Sequence, residues 1–436
     1  MTAVFIFIVL IALVAIGIPI AFAMLGTALS FGYGVFGPAV IHQVVEKVGD
    51  VSSNFVLSAI VLFVFMGCML ERAKIADRLF ESLYIWTRPL PGGLAVATLL
   101  LCVIFAATAG VVGATETVVG LLAIPVMLRH GYNKPLLCGT ICAGGSLGTI
   151  IPPSIIPVVI APLANVSVGD LLVGMTIPGL LMAGLYIMYV IGLAMINPRV
   201  APRIDDGPRY SIVEKIRKTW ASLIPPAILI GAVLGSMLGG VASPSEAGGI
   251  GALGAVGLSL TYGGFTWAGL HEAVVKTVKI TAMIMTIVLA GSVMTGVFSA
   301  AGGIDGVRAL VNYLGLGKWG LLWLVLALAF LAGFILDWMS IALIMIPIFT
   351  PLIVEMGHSP EWFCILFLVV LQTSYLTPPM APAIFYLRAI APASITTDDM
   401  YRGVIPFIAL QVITLLIVMI FPQIALWLPS QVLGFK

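Results

Sequence analysis

Charged residues are scarce in this sequence: of 436 residues, 20 are Lys or Arg and 18 are Asp or Glu, together 9%. An ordinary soluble domain carries about 25% charged residues, whereas 61% of this chain is hydrophobic. The composition therefore excludes a soluble protein and predicts a polytopic membrane protein. No basic residue precedes the first apolar run, so we interpret that run as a membrane span and not as a cleaved signal peptide.

Cysteine and histidine are also rare, with five and four residues respectively. All five cysteines lie in apolar segments, and an odd number placed in this way does not indicate a disulfide framework. Cys138 and Cys142 are one helical turn apart without a neighbouring His or carboxylate, which favours packing over metal binding. The scattered histidines do not predict a transition-metal site.

Motifs of enzymes and of ATP-driven pumps are missing as well. There is no His-Glu-x-x-His and no pair of acids within an apolar span, which disfavours an intramembrane hydrolase. There is also no Gly-x-x-x-x-Gly-Lys-Ser/Thr loop to bind nucleotide phosphates. We therefore predict that the protein is not an enzyme and that ATP does not drive its activity.

The apolar run 136–163 contains a break at residues 144–154, which read Gly-Gly-Ser-Leu-Gly-Thr-Ile-Ile-Pro-Pro-Ser. Adjacent prolines lack N–H groups and clash with the preceding turn, and the glycines leave the backbone uncovered. This first break should therefore interrupt a membrane-spanning helix. Bare backbone groups are tolerated at that depth only where they line a cavity, and such cavities bind substrates and ions in secondary transporters.

A second break, residues 372–382, interrupts the apolar run 362–391 in the same way. Three pairs of landmarks have offsets of 226, 222 and 228 residues: Pro152 with Pro378, Pro125 with Pro347, and Asp77 with Asp305. A nearly constant offset predicts one structural repeat that is used twice.

The predicted first half, 1–196, has scaffold spans, an arm helix at 71–88, a hairpin at 94–130 and a broken span at 136–163. A basic linker, 197–220, is placed in the cytoplasm by the positive-inside rule. The second half, 221–436, repeats the order with an arm at 303–318, a hairpin at 319–355 and a broken span at 362–391.

Each hairpin half has about 14 residues, or ~21 Å, which is short of the ~30 Å hydrocarbon core and predicts re-entrant hairpins. Equivalent loops differ in basic residues and should face opposite sides of the membrane. We therefore predict an all-α polytopic membrane protein with ten spans, built as an inverted repeat with two re-entrant hairpins and two broken helices.

These motifs resemble a known family. Residues 144–154 are similar to the signature of the large membrane (M) subunit, DctM, of the tripartite ATP-independent periplasmic (TRAP) transporters, and residues 243–247, 334–337 and 376–379 resemble the same family. The resemblance covers essentially the whole chain. It implies an elevator-type fold of the ion-transporter superfamily and sodium-coupled uptake of an organic acid across the bacterial or archaeal cytoplasmic membrane.

The resemblance also implies two protein partners and a coupling ion, Na⁺. The partners would be a soluble periplasmic substrate-binding protein and a small four-helix membrane subunit on a separate chain. Backbone carbonyls would form much of two sodium sites. The first would use Gly148, Ile150 and Pro153 with the hairpin tip near Ala109, and the second would use Thr373, Leu376, Thr377 and Pro379 with the tip near Gly333.

Two acids, Glu116 and Asp337, lie within apolar runs, where an ionisable residue is a candidate functional group. For Glu116 the alternative is a structural hydrogen bond to loop N–H groups. No Lys or Arg lies at mid-membrane, so a substrate carboxylate would be met by N–H groups at half-helix N-termini, by hydroxyls and by sodium. The candidate substrate-binding residues are Thr115, Ser146, Ser154, Asp337 and Ser340.

One alternative is a stand-alone sodium/dicarboxylate symporter of the same superfamily, which would work without a binding protein. Genes for a secreted binding protein and a small membrane subunit beside this one would argue against it. A channel is disfavoured because two hairpins that meet at two sites suit occlusion better than a continuous pore.

Overall fold

The computed structural model describes residues 2–73, 75–109, 113–203 and 210–432, and it forms helices but no strands there. The helices of the first half are α1 (Thr2–Ala15), α2 (Ile20–Phe36), α3 (Val40–Ser53), α4 (Phe55–Arg72), α5 (Ile75–Thr87), α6 (Gly93–Ala109), α7 (Ala114–Arg129), α8 (Lys134–Ser146), α9 (Ile155–Ala164), α10 (Val168–Gly174) and α11 (Thr176–Ile196). Those of the second half are α12 (Ile212–Leu238), α13 (Pro244–Thr261), α14 (Trp267–Ala300), α15 (Gly303–Tyr313), α16 (Lys318–Ala332), α17 (Trp338–Glu355), α18 (Pro360–Leu376), α19 (Pro382–Ile390), α20 (Thr397–Ile420) and α21 (Gln423–Val432). The predicted all-α class with two hairpins and two broken helices is confirmed.

The order of elements is the same in the two halves. An arm helix, a hairpin and a broken span follow one another as α5, α6–α7 and α8–α9, and again as α15, α16–α17 and α18–α19. The half-helices of the hairpins have 17, 16, 15 and 18 residues. They are longer than the predicted 14 because they extend further toward the tips, as α6 does to Ala109. The division into two repeats stays a prediction that this order supports.

Three predicted boundaries differ from the structure. Helix α12 begins at Ile212, inside the predicted linker, because Ser211 and Glu214 form a capping box: the Glu214 N–H donates to Ser211 Oγ at 3.2 Å and the Ser211 N–H donates to Glu214 Oε2 at 2.9 Å. The first arm is shorter than predicted because α4 continues to Arg72. The last predicted span, 404–428, is divided at Pro422 into α20 and α21.

Seven helical segments within the described residues are long and apolar enough to cross a membrane: Ile20–Ser53, Phe55–Arg72, Val168–Ile196, Ile212–Leu238, Trp267–Ala300, Trp338–Glu355 and Thr397–Ile420. Four of the ten predicted spans are not among these seven, namely α1, α13 and the two broken spans. The helices of α1 and of the two broken spans are each shorter than 18 residues. Trp338–Glu355 qualifies by length although it is one half of a hairpin. The chain is thus a multi-pass membrane protein.

The helices pack into two bodies. Helices α1–α4 and α12–α14 contact one another and form what we call the frame, in which α4 lies along α13 and α2 lies along α14. Helices α6–α11 and α16–α21 form the hairpin unit, in which α7 packs on α19 and α17 packs on α9. These last two contacts join each hairpin to the broken span of the other half, so the halves depend on each other for their packing.

Small residues bring α13 close to α4 within the frame. Ser245 Oγ donates to the carbonyl of Phe55 at 2.8 Å and lies 2.9 Å from Ser58 Oγ. Further along, a Cβ on Gly248 would lie 2.9 Å from the Leu62 Cβ atom. Small residues allow such close helix contacts in membranes, so the 243–247 motif has a structural role at this junction.

Glycines also hold the hairpin unit together, where α8 crosses α20. A Cβ on Gly139 would lie 2.0 Å from the carbonyl oxygen of Gly403, and a Cβ on Gly403 would lie 2.1 Å from the carbonyl oxygen of Pro135. The atoms that would clash belong to the backbone, which cannot turn away as a side chain can. The two helices therefore need glycine at this crossing.

Gly139→Ala should destabilise the protein, since the added methyl group overpacks a backbone contact at a cost of about 1–3 kcal/mol. Thermal unfolding of the detergent-purified protein should show a lower Tm. Gly184→Ala on α11 is the matched control, because nothing lies within 4 Å of its Cβ position, and its Tm should not fall. An unchanged Tm for Gly139→Ala would contradict this account of the crossing.

Candidate functional site

The two breaks meet at a buried hydrogen-bonded contact. Ser146 Oγ donates to the carbonyl of Ala143 at 2.8 Å and accepts from Gln372 Nε2 at 3.0 Å and from Gln411 Nε2 at 3.3 Å. Ser146 and Gln372 are separated by 226 residues, which is the offset of the two Pro-Pro pairs, so they occupy equivalent positions in the two halves. The broken spans therefore cross where their sequences correspond.

Ser146 also lies in a Gly-x-Ser-x-Gly pattern with Gly144 and Gly148, which in hydrolases places a nucleophile on a strand-to-helix turn. Here the serine lies at the end of helix α8 and is fully buried, and its hydroxyl is hydrogen-bonded to a backbone carbonyl and to two glutamines. A nucleophile needs a base within hydrogen-bond reach. The pattern at Ser146 therefore does not support hydrolase chemistry.

The first break lies next to the end of the first hairpin helix. Residues Leu147–Thr149 form a 3-10 turn after α8, and the carbonyl of Gly148 accepts a hydrogen bond from Ser154 Oγ at 3.1 Å. A Cβ on Gly148 would lie 4.0 Å from Ala106, one turn before Ala109 ends α6. The structure thus brings Gly148 close to the hairpin, although the tip, residues 110–112, lies outside the described residues.

Two further residues of the first break are buried. The carbonyl oxygen of Ile150 lies against α11, 3.1 Å from the Cβ position of Gly179, and Pro153 is enclosed nearby. Helix α8 ends at Ser146 and α9 begins at Ile155, so Gly148, Ile150 and Pro153 share one stretch of non-α backbone. Their predicted role as sodium ligands stays a prediction.

The second break lies against the tip of the second hairpin. A Cβ on Gly333 would lie 2.2 Å from Ser374 Oγ, so the absence of a side chain lets the hairpin approach α18. Thr373 Oγ1 donates to the carbonyl of Val369 at 2.8 Å, and Thr377 Oγ1 donates to the carbonyl of Thr373 at 2.7 Å. Both hydroxyl oxygens therefore keep lone pairs for a cation.

The remaining residues of the predicted second site differ in exposure. Leu376 is buried and ends α18, whereas Pro379 is exposed in the break. The structure therefore places Thr373, Leu376 and Thr377 in one turn beside Gly333, with Pro379 two residues beyond.

The helices that follow the hairpin tips begin with an acid. Asp337 is the N-cap of α17 and accepts from the N–H groups of Met339 at 3.0 Å and Ser340 at 3.3 Å, and from Ser340 Oγ. Glu116, in the first turn of α7, accepts from the N–H of Gly113 at 3.0 Å. These carboxylates compensate the positive helix N-termini.

The helices that follow the two breaks begin without such a cap. Neither Ser154 before α9 nor Ala381 before α19 makes a side-chain hydrogen bond to its helix. The hydroxyl of Ser154 faces the break instead, at the Gly148 carbonyl. The N-termini of α9 and α19 therefore have no compensating carboxylate, unlike those of α7 and α17. Among the predicted anion-binding N-termini, these two remain candidates.

The two acids differ in environment. Glu116 is fully buried and accepts a hydrogen bond from the Tyr375 hydroxyl at 2.9 Å. Asp337 is exposed, although its position within an apolar run predicted a buried acid. Ser340 and Thr115 are both buried, and the Thr115 hydroxyl has no hydrogen-bond partner among the described residues.

A cavity of about 700 Å³ separates the frame from the second hairpin. Asp337 is the one charged residue among the described residues that line it, and no Lys, Arg or His does. Predicted residues Gly333 and Asp337 line this interface cavity, whereas Thr115, Ser146 and Ser154 do not. Its walls otherwise come mainly from apolar side chains of α2 and α14 on one side and of α17–α19 on the other.

Sequence reasoning missed three residues of this region. Tyr375 and Tyr386 line the cavity, and Gln372 joins the two broken spans. Gln372 and Tyr375 both belong to the second break, residues 372–382, so a polar or aromatic side chain inside the break itself was the available signal. Tyr386 had no such signal, because it follows the break on α19.

Known proteins resemble this chain over most of its length. The profile of the family described as "Tripartite ATP-independent periplasmic transporter, DctM component" matches residues 7–424. The C4-dicarboxylate TRAP transporter large permease protein DctM of Pseudomonas aeruginosa is 30% identical over 397 residues, which cover 91% of each chain. An ectoine/5-hydroxyectoine TRAP transporter large permease protein of Ruegeria pomeroyi is 28% identical over 97% of each chain.

Two further similarities concern chain organisation and fold. The isethionate TRAP transporter permease protein DctMQ of Oleidesulfovibrio alaskensis is 26% identical over 94% of this chain and 64% of its own length. The crystal structure of the Alcanivorax borkumensis YdaH transporter superposes with a TM-score of 0.62 at 18% identity, over 90% of this chain and 88% of that one. At this identity the likeness establishes the fold alone.

Asp337→Asn should test the charge of this acid separately from its capping role, because Asn is as good an N-cap as Asp. We expect an unchanged Tm but a fall in uptake of about tenfold or more, the size expected for a lost charged interaction. Asp305→Asn is the matched control, since this acid on α15 has a side chain 84% exposed and lies away from the cavity. Full uptake by Asp337→Asn would leave Asp337 with a capping role only.

Proposed function

The chain belongs to the DctM component of the tripartite ATP-independent periplasmic transporters, and from this membership we propose that it carries a small organic acid into the cell by sodium-coupled transport. The observation that carries the proposal is the pair of broken spans, each placed beside a hairpin. As the large permease of such a system, the chain is a transporter of the cytoplasmic membrane and works with a binding protein.

Sodium coupling is supported by the chemistry of the two breaks. Each break offers neutral oxygens, such as the Gly148 carbonyl and the Thr377 hydroxyl, beside a hairpin. Unwound carbonyls and half-helix C-termini coordinate coupling ions in other secondary transporters. One positive charge needs no carboxylate ligand at such a site, so the two breaks suit a monovalent cation.

An acid substrate is supported by what surrounds the site. The uncapped N-termini of α9 and α19 favour negative charge, and the similar permeases are named for C4-dicarboxylate, ectoine and isethionate. No basic side chain is found among the described residues that line the interface cavity. The substrate anion would therefore be held by N–H groups, hydroxyls and bound sodium.

Two partners complete the proposed system. The family name describes a tripartite transporter, and the relative named DctMQ is longer than this chain, which covers 64% of it. We take the extra length of that relative as support for a small membrane subunit that works with this chain. Delivery by a periplasmic binding protein distinguishes this proposal from the alternative, a stand-alone sodium/dicarboxylate symporter.

An elevator motion is supported by the difference between the two halves. Helix α14 of the frame packs along α17, whereas its equivalent α4 packs along α6 and α9. Inverted repeats exchange their conformations to give outward and inward states, so unequal contacts are expected in any one end state. The hairpin unit would move past the frame with both sites enclosed, while the small subunit holds the frame.

Uptake into proteoliposomes that contain the partner proteins should require a sodium gradient and no ATP. Thr377→Val should raise the sodium concentration for half-maximal uptake, because it removes a predicted ligand. Thr277→Val on α14 is the matched control, since its hydroxyl makes the same kind of bond, to the Ala273 carbonyl at 2.7 Å, within the frame. Equal uptake driven by a proton gradient in sodium-free buffer would contradict sodium coupling.

A disulfide between frame and hairpin unit should stop transport. A Cβ on Gly291 of α14 would lie 2.8 Å from the Leu343 Cβ on α17, so the two helices must part by about 1 Å to reach the ~3.8 Å of a disulfide. The pair Gly291→Cys and Leu343→Cys, without the five native cysteines, should therefore cross-link and lose uptake until it is reduced.

The matched control for this cross-link lies within the frame. Gly248→Cys with Leu62→Cys has a similar Cβ separation, 2.9 Å, between α13 and α4, and should cross-link without loss of uptake. Retained uptake in the cross-linked Gly291–Leu343 variant would show that the hairpin unit does not move past the frame.

A further inference from the structure

The Glu116 carboxylate connects the first hairpin to the broken span of the second half. One oxygen, Oε2, accepts from the N–H of Gly113 at 3.0 Å, where α7 begins. The other, Oε1, accepts from the Tyr375 hydroxyl at 2.9 Å, in the last turn of α18. Glu116 is fully buried and Tyr375 is 6% exposed. Two elements separated by 259 residues are thus joined through one side chain.

The structure around this carboxylate is shaped to receive it. A Cβ on Gly145, in the first break, would lie 2.2 Å from Glu116 Cδ, so α8 presents bare backbone there. The Tyr386 ring covers Gly113, with its Cζ atom 2.7 Å from the Cβ position. None of the ion pairs found among the described residues involves Glu116. Its contacts are therefore hydrogen bonds and packing.

Each end of the link lies beside one of the proposed ion sites. Gly113 follows the first hairpin tip directly, and Gly145 lies three residues before Gly148. Tyr375 lies between Thr373 and Thr377, and its neighbour Ser374 touches Gly333 at the second tip. Whatever fixes Gly145 and Glu116 beside the first site therefore also fixes one acceptor for the turn that forms the second site.

We propose that the Glu116–Tyr375 hydrogen bond is a positioning link through which the two ion sites fill cooperatively, an inference that rests on the sodium coupling proposed above. An ion bound at Gly148 in the first break fixes the backbone at the end of α8, and the contact of Gly145 with Glu116 then holds this carboxylate in place. The turn with Tyr375 is then already oriented, so the second ion meets a smaller ordering cost. Coupling of this kind is reciprocal, so either site can be filled first.

Tyr375→Phe tests the link most directly, because it removes the hydroxyl and keeps the ring. The sodium dependence of uptake should change from a Hill coefficient above 1 in the wild type to about 1, and half-saturating sodium should rise by about fivefold or more. Tyr189→Phe is the matched control. Its half-buried hydroxyl has no hydrogen-bond partner among the described residues, and its sodium dependence should match the wild type.

Two substitutions of Glu116 separate hydrogen bonding from charge. Glu116→Gln keeps an oxygen for the Gly113 N–H and an amide group that can donate to the Tyr375 oxygen, so it should preserve the Hill coefficient. Glu116→Leu keeps the volume and loses both bonds, so it should behave like Tyr375→Phe. A residue with a merely structural role would lower Tm in proportion to the lost bonds without changing the Hill coefficient.

The outcomes are distinct. Wild-type uptake that does not depend on sodium would contradict the proposed function itself. Sodium-dependent wild-type uptake with a Hill coefficient of 1, or a Tyr375→Phe curve that matches the wild type, would overturn the link alone. Equal loss of cooperativity in Glu116→Gln and Glu116→Leu would also overturn it, in favour of a charge effect. If Tyr375→Phe does not fold, comparing the Hill coefficients of Glu116→Gln and Glu116→Leu tests the link in its place.

Discussion

A backbone group that faces hydrocarbon without a hydrogen-bond partner costs several kcal/mol, and this chain interrupts two membrane-spanning helices. Several side chains of the hairpin unit supply hydrogen-bond partners to these backbone groups. The Gly148 carbonyl is met by the Ser154 hydroxyl, and the N–H groups at the start of α17 are met by Asp337. The N-termini of α9 and α19 have no side-chain cap. In our proposal, the substrate and the ions bind where backbone groups have no side-chain partner.

Neither half of the chain meets this constraint alone. Ser146 bonds its counterpart Gln372, and Glu116 of the first hairpin bonds Tyr375 of the second break. Glycines at the contact points, such as Gly145 and Gly333, leave room for Glu116 and for Ser374. These two polar contacts run between the halves, so each half supplies hydrogen-bond partners to the other.

Local chemistry explains which features could be predicted from the sequence. The breaks and hairpins were predicted because Pro and Gly act on the backbone where they stand. The pairing of Glu116 with Tyr375 could not be, because it joins residues 259 apart through packing that no local pattern records. The exposure of Asp337 was missed for a related reason: the interface cavity is formed by α2 and α14, far away in the sequence.

The bonds inside the two bodies differ from those between them, and this bears on motion. Within the frame, ion pairs join Arg72 to Glu272 and Glu71 to Lys276, while serines join α4 to α13. Between frame and hairpin unit, the bond from Thr295 Oγ1 to the Leu343 carbonyl is 3.5 Å long, at the limit of hydrogen bonding, in mainly apolar surroundings. Apolar contacts have no preferred direction. The hairpin unit could therefore slide past the frame and exchange one set of apolar contacts for another with little change in free energy. Strong bonds within each body and weak bonds between them are what a rigid unit needs to move along a fixed frame.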